Sequence, residues 1–188
     1  MKLQGAEATV EIKEDKVIKE RPRKNYRHPK LDQRIRKQRT NAELNNIRKA
    51  LRNGINVPQT GQKNDYILEM QKIEGETLEE NFRPEAMKQV GENVEKLHEA
   101  GLIHGDLTTK NIMFDGEKIY LIDFGLSKDS KKTEDHAVDL HLLKQILDSS
   151  HPEHFKQAWN NFLSSYTPEF QEKVLKRLEE IEERGRYK

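Results

Sequence analysis

The chain has 188 residues, of which 33% are hydrophobic and 36% are Asp, Glu, Lys or Arg, with a net charge of +1 and no cysteine. That length suits one domain or two small lobes, and the missing cysteines exclude disulfides, thiolate nucleophiles and Cys-based zinc sites. The mean hydropathy is −1.02, and the longest aliphatic or aromatic run, Ile119-Tyr120-Leu121-Ile122, falls far short of the ~20 apolar residues that span a bilayer. Met1 to Val10 lack the apolar core of a signal peptide, so the chain reads as a soluble cytoplasmic protein with no membrane partner.

In chain order, residues 8–13 and 17–19 read as strands around a turn at Glu14-Asp15. Residues 31–51 have helical composition, with Leu44, Ile47 and Leu51 at helical spacing. Ile55-Asn56-Val57, closed by Pro58 and Gly61, and residues 66–70 read as further strands. Pro84 marks a helix start, Met87, Val90, Val94 and Leu97 fall on one face, and Gly101 is the stop. Residues 111–114 and 119–123 form a hairpin around Asp115-Gly116, a good tight-turn dipeptide. Three helical patterns follow over 137–147, 152–166 and 168–181, with Trp159 and Phe162 read as core. The texture changes near Glu74-Gly75. The expectation is an α+β chain with a small β-rich lobe over 1–75, carrying one basic helix, and a helical lobe over 76–188.

The near-neutral net charge hides an imbalance. Between Lys13 and Arg39 there are 12 Lys/Arg against 4 Asp/Glu, and the chain ends Arg184-Gly185-Arg186-Tyr187-Lys188. Either this is a solvated helix face with a frayed tail, or it is a polyanion surface whose affinity falls steeply with salt.

The densest chemical signal is His104-Gly105-Asp106-Leu107-Thr108-Thr109-Lys110-Asn111, followed twelve residues after Asn111 by Asp123-Phe124-Gly125. Asn111 enters one strand of the expected hairpin and Asp123 ends the other. An amide oxygen and a carboxylate would then face the loop carrying Asp106. Hard oxygen ligands of that kind suit Mg²⁺ held against nucleotide phosphates. A further carboxylate, not tied to metal, can orient a hydroxyl or water for attack.

These two motifs resemble the catalytic and metal-binding loops of the protein-kinase superfamily, in that superfamily's order and spacing. The resemblance implies a bilobal kinase-like fold with a reduced helical C-lobe. It makes Asp106 the catalytic base, Asn111 and Asp123 Mg²⁺ ligands, and Asp139 the helical carboxylate that braces the catalytic loop. Gly105 replaces the usual Arg, so an activation-loop phosphate has nothing to dock against. Val17-Ile18-Lys19 is similar to the strand whose Lys holds the α- and β-phosphates, with Glu43 placed to pair with it. The phosphate loop keeps only the first glycine, in Gly5-Ala6-Glu7-Ala8, and Glu7 would repel phosphate unless it turns away. Leu68-Glu69-Met70-Gln71 falls at the hinge, near 69–72, where Glu69 and Gln71 would hold adenine through backbone groups. Ile18, Ile67 and Met70 either sandwich the ring or are plain core.

A narrower resemblance rests on Gly5-Ala6-Glu7-Ala8, the segment from Lys24-Asn25-Tyr26-Arg27-His28-Pro29 to Asp32, Arg39-Thr40 with Glu43, the two loops above, and the Arg-Gly-Arg end. Together these look like the small kinase/ATPase subunit of the KEOPS complex, over nearly the whole chain. That resemblance implies ATP and Mg²⁺ as cofactors. It implies the threonylcarbamoyl-transferring subunit and other KEOPS subunits as partners in making threonylcarbamoyladenosine. It also implies tRNA contact within the complex, through residues 13–39 and through Arg184, Arg186 and Lys188. Ser127, Ser130 and Thr133 are candidate self-modification sites.

Two other classes compete. A small-molecule phosphotransferase of the aminoglycoside-kinase type also tolerates His-Gly-Asp, but carries a larger helical region than the 63 residues after Gly125. A ribosome-assembly kinase of the RIO type is nearer in size, yet its winged helix has no room before Gly5. A pseudokinase acting only as an RNA- or protein-binding module is opposed by intact Lys19, Glu43, Asp106, Asn111 and Asp123.

Overall fold

The computed structural model of the chain describes residues 2–5 and 7–186, with side chains through residue 184. Five strands, β1 (Lys2–Gln4), β2 (Thr9–Ile12), β3 (Lys16–Glu20), β4 (Thr60–Asn64) and β5 (Ile67–Gln71), form one antiparallel sheet in the order β1-β2-β3-β5-β4. The β2–β3 turn falls at Glu14-Asp15 as the sequence predicts, closed by Lys13 N–H donating to the Lys16 carbonyl at 2.8 Å. Side chains alternate across a strand. The register Lys19↔Leu68 and Val17↔Met70 therefore puts these four on one face, while Ile18 and Glu69 share the other.

Between β3 and β4 runs α1 (Pro29–Arg52), whose proline occupies the first turn, where its missing N–H costs nothing. Leu44, Ile47 and Ala50 are buried along one side, together with Glu43 and Asn46. The strand expected at Ile55-Asn56-Val57 does not form. Ile55 and Val57 are buried in the core. Their backbone, however, is held by isolated bonds: Leu121 N–H to the Asn56 carbonyl at 2.9 Å, and Asn56 N–H to Asn93 Oδ1 at 2.8 Å. The strand that does form there is the polar β4, at the sheet edge.

Residues 72–75 lead from the sheet to β6 (Glu76–Thr77), which joins β8 (Ile112–Phe114) and β9 (Ile119–Leu121) in a three-stranded sheet. Gly75 passes so close to β8 that an added Cβ would stand 2.2 Å from the Phe114 carbonyl oxygen. Between β6 and β8 come α2 (Met87–Glu99), preceded by a 3-10 turn at Pro84, and β7 (Leu102–Ile103), which pairs with β10 (Lys128–Asp129). The chain continues through α3 (Thr133–Ser150), α4 (Phe155–Leu163) and α5 (Gln171–Arg186). Pro152 and Pro168 do not open the last two helices. Each starts a turn instead, its carbonyl accepting from the N–H of Phe155 and Gln171 respectively, and the helices begin at those residues.

The face predicted for α2 is buried throughout: Met87, Val90, Val94 and Leu97 pack in one core with Leu140, Leu143, Leu147 and Phe162. Trp159 sits at its edge instead, stacked on Phe162 with ring centroids 5.3 Å apart and the Lys144 ammonium 5.6 Å from its ring. Among the described residues, no helix is long and apolar enough to cross a membrane.

Candidate active site

Strand β3 points Lys19 toward α1, where the buried Glu43 Oε1 accepts from its ammonium at 2.5 Å. The same Nζ donates to Asp123 Oδ1 at 2.8 Å, bridging 104 residues of sequence. Arg21, two residues along the chain and so on the same side, donates from its guanidinium to Glu43 Oε2 at 2.6 Å. Glu43 thus has one cation on each oxygen. Arg21 was not among the expected site residues; in the sequence it is one more cation in a basic stretch.

Asp123 follows β9 with φ +59°, and is the sole non-glycine residue of positive φ among those described. A side chain in that region costs about 1–3 kcal/mol and persists where its surroundings impose it. Here the conformation turns Oδ1 back to accept from Gly125 N–H at 3.1 Å as well as from Lys19. Partial burial would raise the carboxyl's pKa, but the Lys19 ammonium and the Gly125 N–H outweigh it and hold it below the usual carboxylate range.

Asn111 lies across from it. Its Nδ2 donates to both the Asp106 carbonyl at 2.9 Å and Asp106 Oδ2 at 2.8 Å. Ile122 N–H donates to the Asn111 carbonyl at 2.9 Å, tying the two loops together. The donor set suits Mg²⁺: one ionised carboxylate and one amide oxygen, with no cluster of three or more His, Asp or Glu among the described residues that would form a closed cage. Mg²⁺ binds in this way, through one or two protein oxygens plus phosphates and water.

The loop bearing Asp106 is held from beneath. Asp139 on α3 accepts from His104 N–H at 2.7 Å and from Gly105 N–H at 2.8 Å. His104 is fully buried, which lowers its pKa and keeps it neutral. Its Nε2–H donates to the Ile122 carbonyl at 3.1 Å while Nδ1 accepts from Asp106 N–H at 3.3 Å. Gly105 takes φ +80°, and a Cβ there would stand 2.4 Å from the Leu126 carbonyl oxygen. The residue that replaces the usual Arg is therefore required by backbone geometry. Gly105→Ala is expected to cost about 2–3 kcal/mol from strain and close contact, read as a lower denaturant midpoint; an unchanged midpoint would contradict the fit described.

Behind Asp139 stands a buried relay. His98 Nε2 lies 3.4 Å from Asp139 Oδ2, and Tyr166 O–H donates to His98 Nδ1 at 2.8 Å. His136 stacks on His98 with ring centroids 4.6 Å apart and on Phe170 at 4.9 Å. Burial, with the neighbouring His98, pushes the His136 pKa down to about 4. Its Nε2 has no hydrogen-bond partner, so a proton there would find no acceptor, and Asp139 and Asp135 offset only part of the burial cost. A His with a lowered folded pKa favours the native state above its unfolded pKa of ~6.5, and that advantage is lost as pH falls toward 4. The expected loss is about 3 kcal/mol between those limits. His136→Phe should flatten unfolding free energy over this window; an unaltered pH profile in the variant would rule out His136 as its source.

The phosphate loop and hinge depart further from expectation. Gly5 N–H donates to the Ala8 carbonyl at 2.9 Å; Ala6 lies outside the described residues. Glu7 does turn away, pairing with Arg39 at 2.5 Å and Arg27 at 3.3 Å. Slight burial opposes its ionisation, but these guanidiniums win and keep it charged. Glu69 sits inside β5 with neighbours on both sides, and its carboxylate reaches Lys16 at 3.3 Å and Lys63 at 3.9 Å. Gln71 ends the strand, its N–H donating to the Gln59 carbonyl at 2.7 Å. Strand exit thus begins at Gln71, two residues beyond Glu69. Met70 and Val17 share the Lys19 face; Ile18 and Ile67 lie on the other, in line with the plain-core alternative for those two.

Beside Asp106 a pocket of about 220 Å³ is lined by Asp106, Asn111, Thr108, Ile146 and Ser150, among others. Of the basic segment 13–39, Lys19 and Arg21 are buried, and Arg27 and Arg36 are engaged by Glu7 and Asp32. Arg23, Lys30 and Arg34 are exposed, as is Arg184 on α5; the Arg186 side chain and Lys188 lie outside the described residues. Ser127 Oγ donates to the Phe124 carbonyl at 2.6 Å and accepts from Asn46 Nδ2 at 2.8 Å, and Ser130 Oγ donates to Asp135 at 2.6 Å. Both hydroxyls therefore have structural duties.

Residues 1–146 match the RIO domain family model. The chain is 38% identical over 209 residues to the KEOPS complex subunit Bud32 of Pyrococcus abyssi, covering 98% of this chain and 94% of that protein. It is 42% identical over 187 residues to a protein of Methanocorpusculum labreanum named "Probable bifunctional tRNA threonylcarbamoyladenosine biosynthesis protein". Of relatives of that second kind, the chain spans about a third of the length, 35% in this case. Among solved structures, a Rio2 kinase–ADP/Mg²⁺–phosphoaspartate complex from Chaetomium thermophilum shares the fold, with a TM-score of 0.65 at 15% identity, over 97% of this chain and 70% of that one.

Proposed function

The chain belongs to the RIO domain family and, within it, to the family of the KEOPS subunit Bud32, and from that premise we propose that it is an ATP- and Mg²⁺-dependent phosphotransferase or ATPase serving threonylcarbamoyladenosine formation on tRNA. The observation that carries the chemistry is the Lys19 ammonium, held between Glu43 and Asp123 at 2.5 and 2.8 Å, with the Asp106–Asn111 pair on the adjoining loop. β3 and α1 supply Lys19 and Glu43, and the segments around β8 and β9 supply Asp106, Asn111 and Asp123.

In this reading Asn111 and Asp123 hold the metal, which when bound neutralises phosphate charge. Lys19 turns its Nζ to the α- and β-phosphate oxygens, and Glu43 fixes its direction. Val17 and Met70 flank the adenine, and backbone groups from Gln71 onward offer it hydrogen bonds; Glu69 takes no part. Gly5 and Glu7 border the phosphates, with the Glu7 carboxylate turned outward. Asp106 orients a hydroxyl or water lodged in the adjoining pocket. The new P–O bond forms as the bond from Pγ to the bridging oxygen breaks, ADP leaves with the electron pair, and the nucleophile's proton passes to Asp106. Catalysis then rests on positioning and electrostatics.

The threonylcarbamoyl-transferring subunit and tRNA are the proposed partners, with Arg23, Lys30, Arg34 and Arg184 as the available phosphate contacts. The test is ATP turnover with Mg²⁺ and threonylcarbamoyladenosine formation in the assembled complex, for wild type and Lys19→Ala. Both activities should fall together in the variant. Wild-type levels of both would remove the reading; retained tRNA binding with no nucleotide binding by either protein would favour a purely scaffolding module.

A further inference from the structure

Arg21 is 5% exposed, carries a full charge, and has no part in the roles assigned above. Its guanidinium takes Glu43 Oε2 at 2.6 Å, leaving only Oε1 for Lys19 at 2.5 Å. The two cations converge on the metal loop as well: a Cβ placed on Gly125 would lie 3.6 Å from Arg21 Nη2 and 3.6 Å from Lys19 Nζ. Gly125 is two residues from Asp123, so both positive tips border one point of the proposed phosphate seat.

The charges decide what this does. Lys19 and Arg21 balance Glu43 and Asp123, so the empty cluster is neutral. Without Arg21 the cluster would be one unit less positive, with or without the metal bound, and would attract a polyphosphate less. Glu43 would also offer both oxygens to Lys19 and draw the ammonium away from the phosphate side. Between charges a few ångströms apart in a partly buried site, such differences exceed a factor of ten in binding.

We propose that Arg21 is a positioning residue for polyphosphate binding, which occupies one oxygen of Glu43 so that the other holds Lys19 facing the phosphates, and which adds a positive charge beside them. This rests on the nucleotide reading above and adds a residue to it. The effect must grow with the number of phosphates and vanish for adenosine, because adenosine meets the flanking apolar residues but not the charges.

The experiment is calorimetric titration of the full chain with ATP, ADP and adenosine at fixed Mg²⁺ and ionic strength, for wild type, Arg21→Gln, Arg21→Met and Arg21→Lys. The expected result for Arg21→Gln is at least tenfold weaker ATP binding, a smaller loss for ADP, and adenosine affinity within twofold of wild type, with Arg21→Lys recovering most of the ATP affinity. Arg21→Met, which replaces the buried stem by an apolar one of similar length, gives the same ranking and serves if the Gln variant fails to fold. Equal losses for ATP and adenosine would make Arg21 a mere lobe support, and unchanged ATP affinity would leave it without a role; either overturns the proposal. Wild type that binds no ATP would instead bring down the nucleotide reading itself.

Discussion

Asp106→Ala is expected to lower ATP turnover by about 10²–10⁴-fold, the range for removing a positioned general base, while nucleotide affinity stays within about threefold. Asn111 Nδ2 is anchored twice, to the Asp106 carboxylate and to the Asp106 backbone carbonyl. Removing the side chain leaves the second anchor, so the amide that would face the metal keeps its place. His104 and Gly105 also remain bonded to Asp139, and the loop is still held. Asp106 is only half-buried, so thermal stability should hardly move. The prediction is a separation of effects: turnover lost, binding and folding kept. Turnover within threefold of wild type would exclude Asp106 from the chemistry, and a comparable loss of binding would mean that it acts through the metal site.

Glu43→Ala should show the opposite pattern, a large loss of stability. Breaking a buried ion cluster by removing its shared anion typically costs about 3–5 kcal/mol, because the remaining charges stay desolvated. Lys19 would keep Asp123 as a partner, whereas Arg21, which pairs with no anion but Glu43 among the described residues, would have none. The lower end is therefore expected, about 3 kcal/mol, or a fall of roughly 6–12 °C in Tm for a chain of this size. Replacing all three groups by apolar residues, as in Lys19→Met with Arg21→Met and Glu43→Leu, should recover most of that stability and no ATP turnover. Such a result would show that the cluster is retained for function and not for stability. A Tm unchanged in Glu43→Ala would contradict the burial and pairing described.

What the sequence made legible follows from how each feature is encoded. Asp106, Asn111 and Asp123 lie in short segments whose spacing is fixed by one hairpin, so their meeting could be anticipated from order, whereas Asp139 was legible only through the resemblance to the kinase superfamily. Lys19 and Glu43 were legible only through the same resemblance, since on local pattern Lys19 is one more cation in a basic segment. Arg21 was hidden by composition: among 12 Lys/Arg between residues 13 and 39, nothing local separates a buried cation from a solvated one. β4 was missed because an edge strand of Thr, Gly, Gln, Lys and Asn has no apolar alternation. Ile55 and Val57 misled in the other direction, since burial without a partner strand looks the same in sequence as a short strand. The Tyr166–His98–Asp139 relay joins residues as much as 68 apart through tertiary packing and has no sequence signature.

Glu7 and Glu69 show the same limit at the nucleotide end. Glu7 is harmless to phosphate only because Arg27 and Arg39 arrive from a helix and the segment before it. The one-residue alternation of β5 settles which hinge positions face the cleft, and that register depends on pairing with β3.

The most direct measurement is a crystal structure of the chain with Mg²⁺ and a non-hydrolysable ATP analogue. Lys19 should have left Asp123 for the α- and β-phosphates, with Asn111 and Asp123 on the metal and the γ-phosphate beside Asp106. A nucleotide bound elsewhere, with the Lys19–Asp123 contact intact, would contradict the account.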